Sequence, residues 1–264
     1  MFSRLHKNAY KYGSDITSHD VLKCAAIFFM TLDHIGFFFF PQDLWWRVLG
    51  RICVPIWFFL LGYSRPSSPR KELLWLSLSM IVVDIILVSP IFPINILATI
   101  YVARYVVNYM AIKDKDIFML LIFTVSALML VPMSERFVEY GTLVFFFSLA
   151  GYYQRFFPEK FLAQASMFIG WAAFSAYQAY LFKMDNTQTI AMAMFLAITC
   201  LLLMRFTTKK LPMSGDNFTG VTLRYLGRNT HYYYAFHYIA LQTIDAVIHP
   251  SALPWQIKWF YPLV

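Results

Sequence analysis

Long apolar stretches alternate with short polar stretches along almost the whole chain. A helix that crosses a membrane needs about 20 mostly apolar residues. Runs such as Ala25–Met30 and Phe37–Phe40 are apolar at every position, whereas the strands of a membrane barrel alternate apolar and polar residues. The pattern therefore predicts an all-α fold, a polytopic transmembrane helical bundle of about nine spanning helices. The predicted spans are residues 21–40, 44–63, 72–89, 91–112, 117–133, 137–153, 161–182, 187–206 and 230–249.

The composition supports the same class of protein. Of the 264 residues, 59% are hydrophobic, 19% are aromatic and 14% are charged, whereas a soluble domain is about 45–50% apolar and about 25% charged. A water-soluble fold of this size would leave large apolar patches exposed. We therefore exclude a soluble enzyme, a disordered chain and a fibre, and we expect the lipid bilayer as the main partner.

Basic residues are divided unevenly between the two sets of predicted loops. Fifteen Lys and Arg residues lie in the N-terminal tail and in loops 64–71, 113–116, 154–160 and 205–229, and three lie in the opposite set. Because cytoplasmic loops carry an excess of Lys and Arg, we expect the N-terminus in the cytoplasm and the C-terminus outside. The net charge of +8 then reflects orientation in the membrane, and no nucleic acid is expected as a partner.

No repeat or linker divides the chain into domains. We expect a cytoplasmic tail over residues 1–20, a membrane domain over 21–249 and a short interfacial tail over 250–264. No cleavable signal peptide is evident, because the first apolar run is too long for the hydrophobic region of one. The three Cys residues have neither CxxC nor metal-ligand spacing, so we expect no disulfide framework and no metal.

Several ionisable residues remain inside the predicted spans, where each costs roughly 2.5–3.5 kcal/mol on insertion scales and is a functional candidate by default. Lys23 and Arg47 lie near span ends, so their head groups can also extend to the interface. Asp84 and Asp245 can be helix-end residues that face water. The candidates are Lys23, Asp33, His34, Arg47, Arg51, Asp84, Arg104 and His237, with Glu139 and Asp245 near span ends.

Asp33 and His34 are adjacent in the outer half of the first predicted helix. Neighbours in a helix point about 100° apart and do not face each other, so each side chain needs its own partner. Arg47 and Arg51 are one turn apart on the second helix, and an Asp33–Arg51 ion pair would leave His34 free to face a cavity. The pair is either a polar brace between two helices or a site with a general base, and these residues alone leave both interpretations open.

Two motifs in these helices carry a family resemblance. Lys23–Ile35 has the form K-x-x-A-x-x-x-M-x-x-D-H-I, and it is followed by GRICVP, which contains Gly50, Arg51 and Pro55. In both motifs the chain resembles the TraX family of membrane proteins, whose founding member acetylates the N-terminus of F-pilin. Lys23 and His34 also have the spacing of an Arg-x10-His signature in the larger membrane acyltransferase superfamily, with Lys in place of Arg. Weaker similarities are Asn95-Ile96, Glu139-Tyr140-Gly141 and the sequence YAFH, which ends at His237.

The resemblance implies an acyltransferase of the bacterial inner membrane. It implies transfer from cytoplasmic acetyl-CoA to an acceptor on the outer side, with no metal. His34 would act as the general base or carry the acyl group briefly, and Asp33 would orient a partner or compensate Arg51. Arg47 or Arg51 would stabilise the oxyanion at the thioester carbonyl.

The same resemblance suggests residues that bind the two substrates. Basic side chains at the cytoplasmic side, Lys23, Lys71, Arg70, Arg104, Arg224 and Arg228, would hold the phosphates of acetyl-CoA. Asn95 would donate to the acyl carbonyl, or would merely cap the fourth helix. On the acceptor side we assign Glu139, Tyr140 and His237. His237 is either a second acid/base or a core histidine bonded to a neighbouring hydroxyl.

Two other classes of function remain as alternatives. A transporter or channel would use the Asp33–His34–Arg51 group to relay protons or hold an anion, but this class predicts paired broken helices in the two halves of the chain, and no such symmetry is visible. A scaffold of a secretion or conjugation apparatus would tolerate substitution of the intramembrane charges. The sequence leaves the acceptor open between a pilin amine and a surface-glycan hydroxyl, and it does not define the oligomeric state.

Overall fold

The chain forms helices that are joined by short turns. The structure, a computed structural model, describes residues 15–64, 70–87, 91–113, 117–157, 160–212 and 217–249, with the backbone alone at 109–113 and 117–121. The predicted interfacial tail, and all but the last six residues of the N-terminal tail, lie outside this part. The helices are α1 (Ser18–Phe39), α2 (Trp45–Gly50), α3 (Cys53–Tyr63), α4 (Lys71–Ile86), α5 (Ile96–Lys113), α6 (Ile117–Met129), α7 (Val131–Phe137), α8 (Val144–Phe156), α9 (Phe161–Leu181), α10 (Asn186–Met204), α11 (Phe218–Arg228) and α12 (Thr230–Ile248).

Each predicted span contains a helix, and the described part of the chain has no strand. The all-α prediction is therefore confirmed. Three helical stretches among the described residues are long and apolar enough to cross a membrane, namely Ser18–Phe39, Trp45–Tyr63 and Asn186–Met204. The pattern missed the short helices α7 and α11, and the predicted span 137–153 begins as a helix only at Val144, because a tight turn precedes it.

The second predicted span is interrupted between α2 and α3. Pro55 has no N–H and its ring clashes with the carbonyl of the residue four positions earlier, which is Arg51. The Arg51 carbonyl instead accepts from the N–H of Val54 at 3.2 Å, and the N–H of Ile52 donates to Leu49 at 3.3 Å. Both bonds have three-residue spacing, so the helix tightens locally at Arg51.

Helix α3 is the centre of the bundle. It is buried on nearly every side and packs most extensively against α8. The two backbones are in direct contact, because a Cβ atom on Gly62 would lie 1.7 Å from the Ser148 carbonyl oxygen and one on Gly151 would lie 2.1 Å from that of Phe59. Small residues at such a crossing are typical of helices packed in membranes.

One end of the bundle, which we call the Lys23 end, contains the ends of several helices. Arg104 of α5 donates to the Leu61 carbonyl at 3.0 Å, and Arg155 of α8 donates to the Tyr63 carbonyl at 2.7 Å. Both guanidiniums therefore satisfy carbonyls at the C-terminus of α3, where the helix dipole favours cations. The last turn of α10 is bonded to α8 at the same end.

The opposite end, which we call the His34 end, contains the other termini. The segment before α5 pairs with the segment before α8. Phe182, just after α9, lies over Arg47 of α2, and Asp84 near the end of α4 bonds Gln242 near the end of α12. The Thr142 hydroxyl, in the turn before α8, donates to the Ala127 carbonyl near the end of α6. Helices α1, α4, α6, α9 and α12 therefore run in one direction, and α2–α3, α5, α8 and α10 run in the other.

Large apolar side chains cover the outside of the helices. Phe28 is 60% exposed, Trp75 is 67% exposed and Tyr180 is 81% exposed. Similar residues occur along α10 and α12. Exposed apolar surface of this extent indicates a hydrophobic environment such as a bilayer.

Candidate functional site

The polar residues of α1 lie at two levels along one helix face. Lys23 and His34 are eleven positions apart, which is close to three turns and a distance of about 16 Å. They therefore point to the same side, and Ile27 and Met30 lie between them on that side and are buried. Each of the two residues belongs to a cluster of polar groups at its own end of the bundle.

Asp33 is the anion at the His34 end that holds the two arginines of the second predicted span. Its Oδ2 accepts from Nη1 of Arg47 at 2.7 Å and from Nη1 of Arg51 at 2.9 Å. Asp33 and Arg51 are buried, and the Arg47 side chain is 13% exposed. The structure thus contains the predicted Asp33–Arg51 ion pair and adds Arg47 to it.

Gly50 allows this ion cluster to form. A Cβ atom at position 50 would lie 2.3 Å from the Cβ of Asp33, so only glycine permits the backbone of α2 to approach α1 here. The approach and the tightened turn at Arg51 bring both guanidiniums to the same carboxylate oxygen. The motif G-R-x-x-x-P therefore has a geometric role at every named position.

A strained turn before α8 brings Tyr140 to the cluster. Tyr140 has φ = 64° and Gly141 has φ = 46°, and a non-glycine residue in the left-handed region occurs when the surrounding structure enforces it. Nη1 of Arg51 donates to the Tyr140 hydroxyl at 2.8 Å. Arg51 consequently contacts one residue from α1 and one from the turn.

Glu139 and Asn95 lie side by side at the same end. The Glu139 N–H donates to the Ile94 carbonyl at 3.0 Å. The Ile96 N–H donates to the Glu139 carboxylate. The Asn95 amide donates to the Ser77 carbonyl of α4 at 3.1 Å, so this side chain braces two helices.

Aromatic rings cover the guanidiniums. The Phe182 ring centroid lies 5.2 Å from Cζ of Arg47 and 5.0 Å from Cζ of Arg51, and the Phe37 ring lies 4.7 Å from Cζ of Arg47. Cation–π contacts of this kind strengthen when water is excluded. Sequence reasoning missed Phe182, because the seventh and eighth predicted helices carry no motif.

His34 contacts a second histidine on α12. Nδ1 of His34 lies 2.7 Å from Nε2 of His237, and Nδ1 of His237 lies 2.9 Å from the Tyr233 carbonyl oxygen. His237 is therefore not bonded to a neighbouring hydroxyl, as one interpretation expected, because these bonds join it to an imidazole and a carbonyl. We name Asp33, His34, Arg47, Arg51, Tyr140 and His237 the His34 cluster.

Basic side chains converge at the other end of the bundle. The Lys23 ammonium lies within electrostatic range of Arg70, Arg104 and Arg228, and of the Asp20 carboxylate. Asp20 caps α1 through Thr17 and lies 3.7 Å from Nε of Arg228. These five residues, Asp20, Lys23, Arg70, Arg104 and Arg228, are named the Lys23 cluster, and cations outnumber anions in it.

The structure places the residues assigned to acetyl-CoA, including the two arginines assigned to its thioester carbonyl, at two levels of the bundle. Lys23 and Arg104 lie in the Lys23 cluster, whereas Arg47, Arg51 and Asn95 lie at the His34 end. Of the other charged residues, Asp84 is buried and accepts from Gln242 at 2.8 Å, so the water-facing alternative does not hold for it. Asp245 does lie at a helix end, where it contacts the exposed His249 at 3.0 Å.

No group of three or more His, Cys, Asp or Glu side chains in the described part of the chain is arranged to hold a metal ion. The three cysteines, Cys24, Cys53 and Cys200, are free thiols. The His34 cluster itself combines two imidazoles, two guanidiniums, one carboxylate and the Tyr140 phenol. Such a set can move protons and stabilise negative charge.

Comparison with known proteins gives one family and one distant relative. The family described as TraX protein matches residues 18–245. The uncharacterized protein RP591 of Rickettsia prowazekii (strain Madrid E) is 25% identical over 234 residues, which cover 85% of this chain and 91% of the relative. No solved structure matches the chain.

Proposed function

The chain belongs to the TraX family, and from this premise we propose that it is a membrane-embedded acetyltransferase. It takes an acetyl group from cytoplasmic acetyl-CoA and transfers it to an acceptor at the outer side of the bacterial inner membrane. The observation that carries this proposal is the arrangement of α1, with a basic cluster at Lys23 and an acid–base cluster at His34 on one helix face. The chemistry of the two clusters fits the two ends of the reaction.

The proposal includes a bundle of nine membrane crossings with the N-terminus in the cytoplasm. The alternating directions of the long helices support it, because the first and last predicted spans must run parallel if the number of crossings is odd. The basic residues of loops 64–71, 154–160 and 205–229 then lie in the cytoplasm, as the positive-inside rule requires. The Lys23 cluster faces the cytoplasm and the His34 cluster lies in the outer half.

The Lys23 cluster binds the phosphates of acetyl-CoA. Three Arg side chains and one Asp lie within electrostatic range of Lys23, and charge-assisted hydrogen bonds from Arg and Lys to phosphate are strong. The pantetheine arm then extends along the face of α1 that carries Ile27 and Met30. This path of about 16 Å brings the thioester to His34.

At the His34 cluster the acceptor amine or hydroxyl attacks the thioester carbonyl. His34 accepts the proton from the acceptor, a C–N or C–O bond forms, and the C–S bond breaks. The proton then passes to the thiolate of CoA. A variant of this path, in which the His34 imidazole carries the acetyl group before the acceptor arrives, uses the same residues.

Arg47 and Arg51 stabilise the oxyanion that forms on the thioester carbonyl. Nε of Arg51 is buried and has no hydrogen-bond partner among the described residues. A buried donor without a partner is uncommon in a folded protein, so a transient oxyanion is a suitable acceptor for it. The acceptors that fit the proposal are an exported pilin with a free N-terminal amine and a surface glycan with a free hydroxyl.

The proposal is tested with purified protein in proteoliposomes and acetyl-CoA labelled in its acetyl group. The acceptor probes are a short peptide with a free N-terminal amine and, separately, a hexose. We expect label on one probe together with release of free CoA. In the His34→Ala variant we expect a rate lower by a factor of about 100 or more, since a positioned general base contributes about 10²–10⁴-fold.

The matched control is His249→Gln, at an exposed histidine beyond the end of α12, which should retain the wild-type rate. Full activity of His34→Ala would remove His34 from the mechanism. Solute uptake by the proteoliposomes without acyl-CoA would favour a transporter. If substitutions of the His34 cluster changed neither transfer nor growth phenotypes, the scaffold would be the better interpretation.

A further inference from the structure

We propose that His237 is a positioning residue that fixes the tautomer of His34 and shares the proton that His34 accepts. The inference rests on the proposed acetyl transfer for its chemical consequence, although the tautomer itself follows from the geometry of α1 and α12. It gives a residue of the last helix a defined role in the site.

The two imidazole rings lie edge to edge. Their planes differ by 15° and their centroids are 4.9 Å apart, while Nδ1 of His34 and Nε2 of His237 are 2.7 Å apart. The two rings are therefore nearly coplanar and meet through one nitrogen atom of each. Rings stacked face to face are separated by more than the 2.7 Å that lies between these two nitrogens. The contact is therefore a short hydrogen bond between the rings.

The proton positions follow from the Tyr233 carbonyl. A carbonyl oxygen can only accept, so Nδ1 of His237, at 2.9 Å from it, carries a hydrogen. In a neutral His237 the other nitrogen, Nε2, then accepts. Nδ1 of His34 must be the donor, which leaves Nε2 of His34 with a free lone pair as the basic atom.

The rings around the pair hold it in place. The Tyr233 ring is stacked on His237 with centroids 5.1 Å apart, and its hydroxyl lies 3.3 Å from that of Thr31 on α1. The rings of Tyr234 and Tyr238 make T-shaped contacts with His34, with ring centroids 5.6 and 5.3 Å apart. Packing on several sides thus restricts rotation of both imidazoles.

The charged groups that face the pair come from two helices. Asp33 is next to His34 on α1, and its carboxylate binds Arg47 and Arg51 of the second predicted span. The titratable groups from α12 are the phenols of Tyr233, Tyr234 and Tyr238. Two guanidiniums near His34 disfavour a full positive charge on it, so a neighbour that shares the charge assists proton transfer.

The proton balance of the shared step is simple. Nε2 of His34 takes the proton from the acceptor as the new C–N or C–O bond forms. The hydrogen on Nδ1 of His34 shifts towards Nε2 of His237, so the positive charge is spread over both rings. When the C–S bond breaks, the shift reverses, and Nε2 of His34 returns the proton to the CoA thiolate.

The first test measures the tautomer directly. The wild-type protein, labelled with ¹⁵N-histidine, is examined by NMR in detergent, and His34→Gln identifies the signals of His34. We expect the Nδ1–H tautomer of His34 in the wild type and a loss of this preference in His237→Leu. An Nε2–H tautomer of His34 in the wild type would overturn the inference, whatever the enzyme's activity.

The second test separates positioning from structural support. In the acetyl-transfer assay, His237→Leu should lower kcat by a factor on the order of 10²–10³ with little change in the KM for acetyl-CoA. His237→Gln, whose amide oxygen can still accept from Nδ1 of His34, should recover at least about a tenth of the wild-type kcat and should show a shifted acid limb in its pH profile. The Tm of each variant shows whether its loss of kcat is due to unfolding of the protein.

Several outcomes contradict the inference without touching the proposed function. Equal kcat losses in His237→Leu and His237→Gln, in proportion to their Tm losses, would show that His237 only supports the fold. Wild-type kcat in His237→Leu would remove it from the site while His34 kept its role. If no acetyl transfer were detected in any variant, the proposed function would fail and the NMR result alone would decide on the tautomer.

Discussion

Asp33 binds two guanidiniums through one of its oxygen atoms. Its Oδ2 contacts both Arg47 and Arg51, whereas its Oδ1 has no hydrogen-bond partner among the described residues. Removal of one member of a buried ion cluster leaves the other charges uncompensated, and this is costly even where the intact cluster adds little to stability. The residue with most effect on the fold of the site is therefore the anion.

At the residue scale we predict that Asp33→Asn destabilises the protein strongly. Two guanidiniums in the interior would lose their counter-charge, at a cost of about 3–5 kcal/mol. Thermal unfolding of the purified protein in detergent should show Tm lower by roughly 10 °C. The matched control is Asp245→Asn, at a partly exposed carboxylate near the end of α12, which should change Tm by little.

Arg47→Gln provides a second comparison at the same site. It removes one cation and leaves the Asp33–Arg51 pair, so its Tm should lie between those of the wild type and Asp33→Asn. A Tm of Asp33→Asn equal to that of the wild type would mean that the cluster does not carry its charges in the folded protein.

At the level of single residues, the sequence predicted the ionisable side chains of the site and missed the aromatic ring of Phe182 that packs on the guanidiniums. Asp33, His34 and Arg51 stand out because an ionisable group in an apolar helix is expensive. Phe182 could not be recognised in the same way, since a Phe in a chain with 27 of them is not distinctive. His34 and His237 are 203 positions apart in the sequence, so their contact depends on how the first and last helices pack.

At the scale of elements, the break between α2 and α3 positions the site. The proline of the motif removes a backbone hydrogen bond and the helix tightens at Arg51, while the glycine permits contact with α1. Without the break, the side chains of Arg47 and Arg51 would be set by regular helix geometry alone. The apolar pattern predicted one continuous helix here, because hydropathy does not register where a backbone hydrogen bond is missing.

We predict that Gly50→Ala disrupts the site although it changes only one atom. The new Cβ would lie 2.3 Å from the Cβ of Asp33, and a helix backbone must shift to relieve that contact. The expected result is a large loss of acetyl transfer together with a lower Tm, despite the better helix propensity of Ala, which is worth about 1 kcal/mol. Both are measured in the assays described above.

Gly170→Ala is the control for that variant. A Cβ at position 170 of α9 would lie 3.1 Å from side-chain atoms of Phe146 and Phe147, which can move by a few tenths of an ångström. Its effect on transfer should be much smaller. Similar losses in both variants would indicate a general sensitivity to helix packing and would contradict the role given to Gly50.

At the scale of the whole molecule, the helix directions and the loop charges support one topology. The long helices alternate in direction, and the described ends of the basic loops lie at the Lys23 end. The helix directions are seen from contacts between helices, such as Arg104 with Leu61 and Asp84 with Gln242, and not from the loop charges. The helix directions agree with the proposed alternation of crossings, and the loop charges alone favour the proposed orientation.

The topology predicts which loop positions are accessible from outside the cell. Asp185→Cys, in the turn between α9 and α10, should react with a membrane-impermeant thiol reagent in intact cells. Lys209→Cys, in the segment after α10, should react only in opened membranes. The three native cysteines lie within helices and are first replaced by Ser to remove background. The reverse pattern of labelling would invert the orientation, and equal labelling of both sites would contradict the crossing by α10.

The sequence by itself determined the helical class, the approximate limits of the apolar helices and the short set of ionisable residues. These properties depend on transfer of each segment into an apolar medium, which is local and nearly additive along the chain. The tertiary structure decided which of those residues meet. It brought Arg47 to Asp33, Tyr140 to Arg51 and His237 to His34. Such pairings depend on close contacts between distant elements, and a pattern read along one chain does not contain them.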